Sequence, residues 1–147
     1  MYGETESGFH EEVWRPSDLK DIRRLIDGLS TRLETILRAN GFELVELRVR
    51  TLLEESILNG WVHGNNCDPT ARLTIGWRIN DEFQLEVKDQ GPGFDPATVP
   101  DPTTSENITR TSGRGIFIMK YFADGVRWEE GGTKLVATLA KHRSFKD

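Results

Sequence analysis

The sequence predicts an α+β domain with helices packed on one face of a β-sheet. Three observations carry this. Apolar residues recur at helical spacing between Leu19 and His63. From Leu73 onward the period switches to strict alternation. Helices and paired strands also come in runs, rather than alternating one for one as in a parallel α/β sheet.

The elements follow in order. Residues 1–12 are polar and expected to be loose at the start, with a short strand around Glu12–Arg15. Pro16-Ser17-Asp18 opens a helix, with Ser17 as N-cap and Asp18 at the positive end of the dipole. Leu19, Ile22, Leu25, Ile26, Leu29, Leu33, Ile36 and Leu37 form its apolar face, and Asn40-Gly41 stops it. A second helix is predicted from about Glu43 to His63, ended by Gly64-Asn65-Asn66. Leu73, Ile75, Trp77 and Ile79, a turn at Asn80-Asp81, then Phe83, Leu85 and Val87 read as a hairpin with one buried face. Residues 90–112 are a long loop rich in Gly, Pro, Asp, Thr and Ser, of the length that serves function or stays unstructured. A helix over Gly115–Phe122 follows, then strands over Gly125–Glu129 and Thr133–Ala140 joined by Glu130-Gly131-Gly132. With no repeat or internal boundary, the chain reads as a polar extension over 1–11 and one domain over 12–147.

Composition narrows the class. A chain of 147 residues is long enough to bury a core, and 36% hydrophobic with 29% charged residues is ordinary for a folded soluble domain. A net charge of −5 and a pI near 5.3 argue against a large phosphate-backbone footprint, so no nucleic-acid partner is expected. Cys67 is the only cysteine, which excludes an internal disulfide and a Cys-rich metal framework and fits a reducing compartment. The acidic Met1–Glu6 stretch lacks the regions of a signal peptide, and no apolar run approaches the roughly 18 residues of a membrane span. A cytoplasmic protein without membrane contact is expected.

Four stretches could carry chemistry, and each has an ordinary explanation beside it. Glu55, Asn59 and His63 form a polar stripe at i, i+4 and i+8, which alone is a solvated helix face. Asp89 continues the inward alternation of Phe83, Leu85 and Val87, where a carboxylate is costly unless it accepts hydrogen bonds. A ligand's amino group would supply one, and Gly91 and Gly93 permit close backbone approach. The ordinary reading is a strand-ending Asp and a Gly-Pro turn. Gly113-Arg114-Gly115 at a helix start suits a polyphosphate, or is a simple loop-to-helix junction. Gly131-Gly132-Thr133 is by itself a hairpin turn. P-loop and protein-kinase signatures are absent from the sequence.

Their order is more specific than any one of them. Glu55-x-x-x-Asn59, Asp89-x-Gly91-x-Gly93-Phe94, Gly113-x-Gly115 and Gly132-Thr133 resemble the motif series of the GHKL ATPases, which include gyrase and sensor histidine kinases. Within that superfamily the chain is most similar to the anti-sigma-factor serine/threonine kinases. Arg15-Pro16-Ser17, the stretch Glu55–Asn65 and the stretch Ser112–Lys120 carry that closer likeness, which spans roughly residues 12–140. The resemblance implies a Bergerat-type two-layer sandwich with a mixed or antiparallel sheet, and ATP with Mg²⁺ as its ligands. It implies that Asp89 accepts the adenine amino group, that Gly91 and Gly93 let the backbone approach adenine, and that Thr133 completes the adenine network. Asn59 would be the Mg²⁺ ligand, one protein ligand sufficing for a metal that keeps waters and phosphate oxygens. Gly113 and Gly115 would wrap the phosphates, Arg114 would add charge near the γ-phosphate or face solvent, and residues 95–112 would be the ATP lid. Glu55 would be the general base, its identity against the adjacent Glu54 resting on the spacing to Asn59.

The function this implies is a kinase that phosphorylates a Ser or Thr of a STAS-domain antagonist and sequesters a sigma factor or other target, acting as a homodimer. A detached histidine-kinase catalytic domain is the second reading, although His10, His63 and His142 lie in no recognisable phosphoacceptor context. A catalytically silent, ATP-dependent binding module is the third.

Overall fold

The computed structural model describes residues 2–4, 8–95 and 112–142. The chain runs β1 (Tyr2–Glu4), β2 (His10–Trp14), α1 (Leu19–Ala39), α2 (Val45–Leu58), a π turn (Asn59–Gly64), β3 (Leu73–Ile79), β4 (Glu82–Lys88), α3 (Ser112–Phe122), β5 (Gly125–Glu129) and β6 (Lys134–Ala140). The strands form one six-stranded sheet in the order β1-β2-β3-β4-β6-β5. Every pairing among the described residues is antiparallel, which narrows the expected mixed or antiparallel sheet to the second. The helices cover one face, giving the predicted two-layer α+β architecture.

Alternation decides which face is covered. Leu73, Ile75 and Trp77 of β3, Phe83, Leu85 and Val87 of β4, and Leu135, Ala137 and Leu139 of β6 are buried in one core cluster. Ile22, Ile26, Leu29, Leu33 and Leu37 of α1 and Val49, Leu52, Leu53 and Ile57 of α2 meet them. Each Val, Leu, Ile or Phe among them contributes about 1.5–3 kcal/mol by leaving water. Leu19 and Ile36, included in the predicted apolar face of α1, are exposed instead.

Several boundaries move for local reasons. Asp18, not Ser17, caps α1: its carboxylate accepts the Asp21 N–H at 2.8 Å, while Asp21 accepts the Ser17 N–H at 2.9 Å. Two reciprocal bonds from backbone N–H groups to carboxylates outcompete the single serine hydroxyl. The N-terminal stretch, expected to be loose, supplies β1 and the start of β2, because β2 has β3 to pair with and β1 then extends the sheet. α3 begins at Ser112 rather than Gly115, and the last strand at Lys134 rather than Thr133. The expected second helix is an α-helix only to Leu58 and closes in the π turn.

One buried side chain fixes α3 against α2. Arg48 is 1% exposed and donates to Ala140 O at 2.6 Å and Glu43 O at 3.0 Å, while pairing with Asp124 at 3.3 Å. It ties the start of α2 to the ends of β6 and α3. At the other end of the same pair, Glu55 of α2 meets Gly115 of α3, so the two helices run antiparallel. Among the described residues, no helix is long and apolar enough to cross a membrane.

Candidate nucleotide site

The site begins where α2 changes its winding. The Asn65 N–H donates to Gly60 O, five residues back, at 2.8 Å. Such a widened turn is an uncommon departure from α-helix that recurs at functional sites. Here it presses backbone against the sheet. A Cβ on Gly60 would lie 3.1 Å from Leu73 Cδ2 and 3.3 Å from Val87 Cγ1. One on Gly64 would collide with the Asp89 carboxylate.

Asp89 follows β4 on its inward parity. Its N–H donates to Thr133 O at 2.9 Å, and its Oδ1 accepts the Gly91 N–H at 2.8 Å. Burial pushes its carboxyl above the ordinary range, and the Gly91 bond offsets part of that. Among the described residues no cation pairs with it.

The loop after Asp89 is held by contacts only glycine permits. A side chain on Gly91 would strike the Gly64 carbonyl, and one on Gly93, at φ 76°, would strike the Gly131 carbonyl. Phe94 is anchored by its N–H to Gly131 O at 3.0 Å and by edge-on contact with Trp128. Thr133 touches Asp89 through its main chain, while its hydroxyl donates to Glu130 O at 2.8 Å.

Glu55 and Glu54 part company. Glu54 faces Arg50 at 3.4 Å, which also pairs with Asp27 of α1. Glu55 faces α3, where a Cβ on Gly115 would lie 2.8 Å from its Oε2. Burial, and then the neighbouring Glu54 charge, raises the Glu55 carboxyl above its usual value. Asn59, half-buried one turn on, has no side-chain hydrogen bond among the described residues. Among the described residues the arrangement offers a half-buried acceptor with no cation beside it, a backbone cradle, an amide without a side-chain hydrogen bond and a carboxyl of raised basicity, all around the end of α2.

The profile of the histidine kinase-like ATPase domain matches residues 16–139. An anti-sigma F factor of Geobacillus thermodenitrificans is 38% identical over 105 residues, covering 68% of this chain and 70% of that protein. One of Geobacillus kaustophilus is 36% identical over 105 residues with the same coverage. One of Clostridium perfringens is 30% identical over 95 residues, covering 60% of this chain and 67% of its own. The chain belongs to the histidine kinase-like ATPase family. Within it, these relatives put it on the ATP-binding, anti-sigma-factor branch.

In this histidine kinase-like ATPase, the matched span includes every residue singled out in the sequence, from Glu55 to Thr133. The fold brings Asp89 and Gly91 against the π turn, Thr133 to the Asp89 main chain and Gly93 to Gly131 and Thr133, and it joins Glu55 and Gly115 where α2 meets α3. Gly113 lies in the first turn of α3 rather than before it. The Arg114 side chain and the expected lid, residues 95–112 apart from its two ends, lie outside the described residues. His63, the last member of the polar stripe, is exposed. Sequence reasoning missed Asn65, which is 6% exposed and bonded to both sides of the cradle. A polar residue directly after a helix-ending glycine was the only signal, and it reads first as a stop.

Proposed function

We propose that this ATP-binding domain is a protein serine/threonine kinase that moves the ATP γ-phosphate to a hydroxyl of a STAS-domain antagonist. In its other state it sequesters a sigma factor or a similar target, as a cytoplasmic homodimer. The observation that carries the reading is Asp89, a half-buried carboxylate that burial disfavours and no cation among the described residues relieves. An adenine amino group supplies a second hydrogen-bond donor beside the Gly91 N–H.

The residues fit the ligands the family implies. Asp89 holds adenine, with Gly91, Gly93 and Thr133 forming the close backbone around it. Gly113 and Gly115 sit in the first turn of α3, where free N–H groups and the helix dipole favour phosphate. Arg114 beside them adds positive charge. Asn59 is the amide ligand for Mg²⁺, which supplies charge neutralisation on the phosphates.

Glu55 serves as base. Its raised carboxyl is better matched to taking a proton near neutral pH than an ordinary glutamate. The acceptor hydroxyl oxygen bonds to the γ-phosphorus, the bond to the bridging oxygen of ADP breaks, and the hydroxyl proton passes to Glu55. Glu54, turned toward Arg50, takes no part.

The test is transfer of label from γ-labelled Mg-ATP to a STAS-domain protein. Glu55→Ala is expected to lower the transfer rate about 100- to 10,000-fold, with ATP affinity held within a few-fold. Loss of nothing in that variant would instead favour a silent binding module. Absence of transfer by the wild type to any STAS-domain partner would end the kinase reading.

A further inference from the structure

Asn65 closes a ring of hydrogen bonds around the start of β3. Its Nδ2 donates to Arg72 O at 2.9 Å, and its Oδ1 accepts the Gln90 N–H at 2.7 Å. The ring is completed by the Arg72 N–H, which donates to Gln90 Oε1 at 2.6 Å. Three segments, the end of the π turn, the entry to β3 seven residues on and the exit from β4, are thereby locked together.

The lock sits one residue from the acceptor on each side. Gln90 follows Asp89, and Gly64 precedes Asn65 and lies against the Asp89 carboxylate. Gly91 in turn lies against the Gly64 carbonyl while its N–H holds Asp89 Oδ1. A shift of the Gln90 peptide therefore moves both the Asp89 main chain and the N–H that orients its carboxylate. Nothing else among the described residues bonds the Gln90 N–H. A buried amide that satisfies a donor and an acceptor at once rigidifies what it bridges.

We infer that Asn65 is a positioning residue for adenine selection, acting through the Gln90 peptide to aim the Asp89 carboxylate at an exocyclic amino group. The inference rests on the proposed seating of adenine at Asp89. Its chemical consequence is selectivity. Inosine triphosphate carries a carbonyl oxygen where ATP carries the amino group, and a well-aimed carboxylate accepts from one and repels the other. Loosening the aim should cost ATP more than it costs inosine triphosphate.

The experiment is calorimetric titration of Mg-ATP and Mg-inosine triphosphate into wild type, Asn65→Ala, Gln90→Ala and Asp89→Asn, each well below its melting temperature. Asn65→Ala should weaken ATP about 10-fold and inosine triphosphate about 2-fold or less, so the preference narrows about fivefold. Gln90→Ala removes one leg of the ring at an exposed side chain, should fold normally, and should narrow the preference about twofold. If Asn65→Ala does not fold, Gln90→Ala decides the matter alone. Equal weakening of both nucleotides, or a lower melting temperature with the wild-type preference intact, would mean that the ring only stabilises the fold. Selective loss of ATP in Asp89→Asn beside an unchanged preference in the other two variants overturns the positioning role while leaving adenine at Asp89. Undiminished ATP binding by Asp89→Asn removes both readings.

Discussion

Glu12 on β2 and Asp89 at the end of β4 both project from the helix-covered face of the sheet, into opposite surroundings. Arg32 of α1 reaches Glu12 with two nitrogens, at 2.6 and 3.0 Å, and the Trp14 indole donates to the same carboxylate at 3.0 Å. Burial raises the Glu12 carboxyl, but the bonds from Arg32 and Trp14 outweigh it and leave the group below its usual range. Asp89 has burial with one backbone N–H against it, and stays raised. A carboxylate whose cost is met inside the fold is part of the scaffold. One whose cost is left unmet is a place for a ligand, and that contrast is sharper than exposure, because Glu12 is buried and Asp89 is half-buried.

Exchanging charge for amide at each site breaks the comparison most strongly in binding. Asp89→Asn keeps an acceptor for the Gly91 N–H but turns part of the adenine-facing group into a donor. ATP affinity should fall about 100-fold, the loss of one charge-assisted hydrogen bond with a mismatched donor left behind. Glu12→Gln should leave ATP affinity within about twofold. Isothermal calorimetry on both variants checks this, and a comparable loss at Glu12 would show that the scaffold carboxylate also serves the ligand.

The next effect lies in stability and has the reverse order. Arg32→Ala removes the cation and leaves Glu12, 7% exposed, with only the Trp14 indole as a hydrogen-bond donor among the described residues. Breaking a buried pair costs about 3–5 kcal/mol, reduced here to about 2 kcal/mol because the Arg32 side chain is 46% exposed and screened. Urea unfolding reads it directly. A change below about 0.5 kcal/mol would mean that water substitutes for Arg32.

How far the two carboxylates were legible in the sequence follows from the range of their interactions. Asp89 could be placed because Phe83, Leu85 and Val87 set a parity that runs straight into it. Glu12 could not, since its meaning comes from Arg32 on another element and from pairing of β2 with β3, whose residue numbers differ by about sixty. The π turn escaped for a related reason. Glu55, Asn59 and His63 fit a regular helix, and only the demand that Gly60 and Gly64 lie flat on β3 and Asp89 rewinds it. The choice of Glu55 over Glu54 rested on spacing in the sequence. In the fold it gains an independent physical ground, because Arg50 draws Glu54 to α1 while α3 covers Glu55.

The smallest effect is the most discriminating, because the two sites should respond to pH with opposite signs. Glu12 has a lowered carboxyl, so its contribution to stability is present above its unfolded value of 4.5 and is lost as pH falls through the lower folded one. Asp89 has a raised carboxyl, so folding favours its protonated form. Its destabilising influence sets in as pH rises from the unfolded value of 3.8 through the higher folded one, and is complete above that. Asp89→Asn should therefore stabilise the nucleotide-free protein at neutral pH, by less than about 1 kcal/mol because solvent screens a half-exposed group, with the gain vanishing in acid. Glu12→Gln should destabilise it at neutral pH, with the loss shrinking in acid. Melting temperatures of the two variants against wild type across the acid range test the pair together. Curves that slope the same way would mean that Asp89 has a positive partner in solution, and the case for an unmet ligand site would lose its physical basis.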